Sequence, residues 1–173
     1  QMSKLSAIII LFGKISMYFW NTKALAHELA EDTLSKQHYK NYYLAAALVV
    51  SVVYYYGMYS PYYDVRVISL EAILTLLIML IGIQRTYQAN GADEGINFLN
   101  RITALSFPIL IQTTVAGVVF GVVLLLIYQY FGLAQTAFAI WYEWCVSAFT
   151  IFLQILFFTR LVSYMKRVAA HTI

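Results

Sequence analysis

Two carboxylates stand inside long apolar runs, Glu71 and Glu143. An ionisable group within hydrocarbon is costly and turns toward protein or water, so these two are the first candidates for function. Each lies six to ten residues from the outer end of its run, roughly 9–15 Å deep at 1.5 Å per residue. The expectation is therefore two acids at one depth, able to form a cation site or a protonatable pair in which desolvation and the neighbouring charge raise one pKa. The plain alternative is that each carboxyl bonds a tyrosine or a backbone group and ties helices together.

The run that holds Glu143 carries more. Thr136, Glu143, Ser147, Thr150 and Gln154 are spaced by seven, four, three and four, which puts all five on one face of a helix. Such a stripe can line an aqueous path, or it can face other helices and make interhelical hydrogen bonds of about 0.6 kcal/mol each. Glu71, Thr75 and Gly82 form a weaker counterpart on another run. Thr113, Gly117 and Gly121 recur every four residues, the small-residue spacing that lets two helix backbones approach closely, and they read as a packing face.

Other chemistry is poorly represented. His27, Glu31 and His38 share a face if residues 21–40 form one helix, but the two histidines are then about 16 Å apart, too far to close on one metal ion. His27-Glu28-Leu29-Ala30-Glu31 lacks the second histidine of a zinc motif. Cys145 is the single cysteine and reads as a small apolar filler, and all three histidines lie outside the apolar runs. No catalytic set, metal site or cofactor is expected.

The elements that position these residues follow from composition. Of 173 residues, 62% are apolar and 11% charged, against roughly 45–50% and 25% in soluble domains. Four stretches are long and apolar enough to cross a bilayer as helices: 42–59, 65–83, 108–131 and 133–159. The expected fold is an all-α integral membrane protein, a four-helix bundle over 42–173 with a short basic tail. Residues 1–41 form an N-terminal amphipathic and cytoplasmic segment ahead of it. Met2 reads as the initiator; Ala24-Leu25-Ala26 resembles a signal-cleavage site, but Lys14 and Lys23 argue against cleavage. Residues 5–20 fit an in-plane helix better than a fifth span, because about 24 Å is short for the bilayer and Lys14 would fall near its centre.

Residues 21–40 read as a solvated helix. After the Asn90-Gly91 turn, Ile96, Leu99, Ile102 and Leu105 recur every third residue opposite Asp93, Asn97, Asn100 and Arg101, suggesting a second in-plane helix that bends at Pro108 into the third span. Ten of the eleven Lys and Arg fall on one side of a four-span chain and only Arg66 on the other, which places both termini in the cytoplasm of an inner or plasma membrane. Tyr18, Trp20, Tyr39, Tyr42, Tyr43, Tyr87 and Tyr164 map to the inner boundary, Tyr54–Tyr56, Tyr59, Tyr62, Tyr63, Tyr128, Tyr130 and Phe131 to the outer one. Arg160, Lys166 and Arg167 are placed to meet anionic lipid heads, and the net charge of +3 is a topology signal with no case for nucleic acid.

Three functions fit. The first is a homo-oligomer that forms or gates a passive ion or small-solute pathway, with Glu143, Ser147, Thr150 and Gln154 facing the path, Thr136 continuing the row and Glu71 assisting. The second is a non-conducting scaffold or accessory subunit whose stripe binds a partner's membrane helix. The third, a lipid-acting enzyme, has no convergent nucleophile, base or metal set behind it.

Overall fold

The computed structural model describes residues 17–58, 64–131 and 135–170, with the backbone alone for 54–58, 131 and 135–140. Residues 5–16 of the N-terminal amphipathic segment, and the side chains of Thr136, Phe131 and the 54–63 tyrosines, lie outside what is described. The described residues are all helical apart from turns: α1 Thr22–Ala30, α2 Lys36–Met58, α3 Val65–Ala89, α4 Phe98–Phe131 and α5 Gln135–Ala170, with a 3-10 turn at Ala92–Glu94. Three of these helices, α3, α4 and α5, are long and apolar enough to cross a membrane.

The long helices pack as a row. α2 lies on α4, α4 on α5 and α5 on α3, while among the described residues no substantial packing joins α2 to α3. Only 11%, 6% and 11% of the residues in the most apolar stretches of α3, α4 and α5 are buried within the protein. Lipid tails are as apolar as leucine, so a spanning segment gains little hydrophobic energy from turning inward. The core forms elsewhere. Leu25, Ala26, Leu29 and Ala30 of α1, Leu34, Tyr42 of α2, Ala104, Leu105, Phe107 and Ile109 of α4 and Leu161, Met165 and Val168 of α5 make one buried cluster at one end of the row. At 34 and 36 residues, α4 and α5 are about 51 and 54 Å long, so each outruns a bilayer core of about 30 Å and has a surplus to pack there.

Several local readings change. Residues 21–40 are two helices separated by a turn, in which Asp32 adopts φ 51° and Thr33 bonds the Glu28 carbonyl through both N–H and hydroxyl. α1 is docked, not solvated: Leu25 and Leu29 are 0% and 1% exposed, and the helix crosses α4 and α5. Asn21 caps it by accepting from the Ala24 N–H at 3.1 Å. The split also separates the histidine trio, for His27 pairs with Glu31 at 3.3 Å on α1 while His38 meets the Ser35 hydroxyl at 2.8 Å on α2.

The segment before Pro108 is not a separate helix. α4 runs unbroken through Pro108, whose ring is fully buried between Phe107 and Ile109. Nor does the row at every third residue share a face: Leu105 is buried but Leu99 and Ile96 are exposed. Ile96 precedes the helix, and each step of three falls about 60° short of a full turn at 3.6 residues, so Leu99, Ile102 and Leu105 fan across about a third of it. Arg101, expected on the solvent side, is 2% exposed. Its guanidinium donates to Asn90 Oδ1 at 3.1 Å, and the Asn90 amide donates to the Ile96 carbonyl at 3.2 Å, closing the turn. Gly95 allows that closure, since a Cβ there would sit 2.3 Å from the Asn90 carbonyl oxygen. Finally, Tyr42 belongs to the core and not to an aromatic belt: it is 0% exposed, its hydroxyl accepts the Tyr18 N–H at 2.9 Å, and its ring leans on Phe107.

Candidate functional site

The polar stripe of α5 faces α3. Glu143 Oε2 accepts the backbone N–H of Asp64 at 3.0 Å, Gln154 Nε2 donates to Thr75 Oγ1 at 3.0 Å, and Ser147 between them is buried at 8% exposure. Thr150 and Glu71 are half-buried along the same seam. Both bonds join residues 79 apart in sequence, which fixes α3 and α5 side by side, running the same way. Lower down, Gly82 of α3 meets the Phe158 ring so closely that a Cβ would sit 2.3 Å from it.

That register overturns the expectation of two acids at one depth. The offset of 79 brings Thr150 level with Glu71 and leaves Glu143 level with Asp64, seven residues or about 10 Å nearer the helix start. α5 begins farther out than α3, so equal counts from the ends of the two apolar runs do not mean equal depth. At Asp64, Glu143 meets the start of α3, where Asp64 itself caps the helix by accepting the Arg66 N–H at 2.8 Å. Two carboxylates at a helix N-terminus satisfy free N–H groups and complement the helix dipole, which accounts structurally for Glu143. Among the described residues, no buried side-chain nitrogen or oxygen lacks a hydrogen-bond partner.

The face predicted for close packing meets α5 in part. Thr113 is buried, with its hydroxyl bonded back to the carbonyls of Ile109 and Leu110 at 3.0 Å, and Gly117 would bring a Cβ within 3.5 Å of Leu153. Gly121 faces open space. Phe120 and Phe149 stack between the two helices with centroids 3.8 Å apart.

A second polar site, at the α1 end, was not expected from sequence as a unit. Gln112 of α4 donates to the Trp20 carbonyl at 2.8 Å and to the Thr22 hydroxyl at 3.4 Å, and its Oε1 accepts from the Arg160 guanidinium of α5 at 2.5 Å. These groups, with Asn21, Lys23 and Tyr164, line an open cleft of about 530 Å³. Of the three expected lipid-head contacts, Arg160 is thus fixed at the cleft, while Lys166 and Arg167 are exposed and Arg167 lies over the Tyr164 ring at 5.5 Å. Gln112 and the Thr22 hydroxyl are ninety residues apart, so only the docking of α1 reveals their link. Nearby, the Tyr18 hydroxyl donates to Glu28, a bond that raises its pKa, with burial adding to the effect. Burial likewise pushes up the Tyr39 hydroxyl, with Asp32 adding and Arg101 opposing.

Among the described residues, no three His, Cys, Asp or Glu side chains come together to hold a metal ion. No family model matches the chain, and neither a curated protein nor a solved structure matches it.

Proposed function

We propose that this chain is a multi-pass protein of an inner or plasma membrane that serves as a non-conducting scaffold or accessory subunit. In this reading α2, α3, α4 and α5 are four spans and the α1 end lies in the cytoplasm, as the distribution of Lys and Arg requires. Membrane lipids and either a second copy or another membrane subunit are its partners. The observation that carries the reading is the α3–α5 seam. Glu143, Ser147 and Gln154, the groups best suited to line a path, are engaged by or buried against a helix of the same chain. A polar row spent on internal bonds holds two helices in register and leaves little for a permeating ion.

The test pairs flux with composition. Purified chain in sealed vesicles is expected to pass no ions above the protein-free background, and chain drawn gently from its native membrane is expected to bring a partner in fixed stoichiometry. A selective flux abolished by Glu143→Gln would overturn the scaffold reading.

A second reading has one observation in its favour. Because the helices form an open row with α2 and α3 at its edges, several copies joined edge to edge would enclose a space that one chain cannot. A pathway between copies then predicts a closed ring of subunits in lipid together with measurable flux.

A further inference from the structure

The cleft between the start of α1 and the facing sides of α4 and α5 has the makings of an anion site. Two cations line it, Lys23 from α1 and Arg160 from α5. Among the described residues neither forms an ion pair, the one such pair being His27 with Glu31. Among the described residues, no carboxylate therefore stands within ion-pair distance of either charge. Gln112 holds the arrangement in place. Its amide nitrogen ties down the Trp20 carbonyl and the Thr22 hydroxyl, and its amide oxygen takes one guanidinium N–H of Arg160. Arginine carries five N–H donors in a planar fork, so after this bond the rest of the fork remains to meet an anion. Lys23 supplies a compact charge on a flexible stem, and the Asn21 side chain, which accepts from Ala24, steadies the first turn of α1 that carries it.

The rim is amphipathic. Trp20 is 58% exposed beside Phe19 at 54%, and Tyr164 closes the other side of the cleft. A polar floor with two cations, edged by exposed aromatic rings of the type that sit at the headgroup level of a bilayer, matches a phosphate that carries apolar substituents. We infer that this cleft is a binding site for a phosphate group, held by Arg160 and Lys23 with Gln112 positioning the arginine, and filled by the phosphodiester of an anionic phospholipid. The inference rests on the proposed membrane setting, with the α1 end at the cytoplasmic boundary.

The experiment counts lipids retained by the detergent-purified chain in native mass spectrometry after titration with phosphatidylglycerol, with phosphatidylcholine as the neutral comparison. Wild type is expected to hold one phosphatidylglycerol per chain in preference to phosphatidylcholine. Lys23→Gln with Arg160→Gln is expected to bind it about 30-fold more weakly, about fivefold for each cation. Lys166→Gln with Arg167→Gln, which alters exposed charge outside the cleft, is expected to retain it. Gln112→Leu, which leaves both charges but frees the arginine, is expected to fall between. A matching melting temperature shows that each variant is folded, and Arg160→Lys supplies a second folded variant with the charge kept and the fork removed.

Excess inorganic phosphate separates the two sources of the group. If it does not displace phosphatidylglycerol, the occupant is the lipid; if it binds in place of the lipid with the same dependence on Lys23 and Arg160, the site is one for free phosphate. Equal retention by wild type and the Lys23 and Arg160 variant, or an equal loss from the Lys166 and Arg167 variant, overturns the site. Flotation of wild type with vesicles is read separately: chain that floats but shows no preference for phosphatidylglycerol refutes the cleft alone, whereas chain that does not float refutes the membrane setting.

Discussion

Leu29→Ala should undock α1. Leu29 is 1% exposed and belongs to a cluster with Leu25, Leu161, Met165 and Val168, drawn from two helices that meet at the α1 end. α1 has nine residues, too few to hold a helix in water without packing. In the proposed topology α1 lies outside the hydrocarbon, where burial of its apolar face is a hydrophobic gain, unlike burial within the spans. Truncating a buried leucine to alanine costs about 2–5 kcal/mol, and here the whole of that cost falls on the docking of one short helix. The assay is hydrogen exchange of the α1 amides in micelles, which reads local opening directly. The α1 amides of Leu29→Ala should exchange from about 30-fold to several-thousand-fold faster than wild type, while those in the middle of α4 and α5 stay unchanged. His27→Ala, on the exposed side of the same helix, removes an i,i+4 pair worth only about 0.5 kcal/mol and should alter exchange by less than about threefold. Unchanged protection in Leu29→Ala, or an equal effect from His27→Ala, would refute the docking.

Four further outcomes follow from particular contacts. Gly82→Ala forces a Cβ into the Phe158 ring and should cost about 1–3 kcal/mol in thermal unfolding, a cost that largely disappears when Phe158→Ala is made with it; additive costs would show that the two do not touch. Asn90→Leu leaves the buried Arg101 guanidinium without its acceptor and should destabilise by about 1–3 kcal/mol or more, measured by denaturant unfolding, whereas Arg85→Leu on exposed α3 surface should not. Thr75→Val and Gln154→Leu should each cost little, about 0.6 kcal/mol, and a double-mutant cycle should find them coupled. Because the hydrogen bond to Glu28 raises the Tyr18 pKa above 10.0, that bond favours the fold at and below pH 10 and is lost as pH rises through the higher folded value; the phenolate absorbance missing in Tyr18→Phe should accordingly titrate above 10, and titration at or below it would contradict the bond.

How much of this was legible in the sequence varied with the scale of the signal. The runs that hold Glu71, Val118 and Phe152 announce α3, α4 and α5 because a continuous apolar stretch of about 20 residues has few other uses. The common face of Glu143, Ser147 and Gln154 was equally plain, since it depends only on the helical period. Which helix that face meets was not, because register between helices is a tertiary fact: counting from the ends of two runs put Glu143 beside Glu71, and the actual offset puts it beside Asp64. The docking of α1 was missed for a different reason. Averaged over residues 21–40 the segment is polar, and the average hid Leu25 and Leu29, four apart with Ala26 and Ala30 alongside, which are the signature of one buried face. Arg101 was read as a surface charge because a buried, singly bonded arginine is rare, and its acceptor, Asn90, had already been assigned to a turn.

The central claim is that the polar row of α5 is a dry seam between two helices of the same chain. The most direct measurement replaces Cys145 with alanine, introduces one cysteine at a time at Ser147, Thr150 and Gln154, and follows reaction with a charged, membrane-impermeant thiol reagent in vesicles, with exposed Ser163→Cys as the reactive standard. The dry seam predicts that the cysteines at 147 and 154 stay unmodified while the one at 163 reacts to completion; modification of 147, 150 and 154 at rates near that of 163 would mean the row is bathed in water and would contradict the claim.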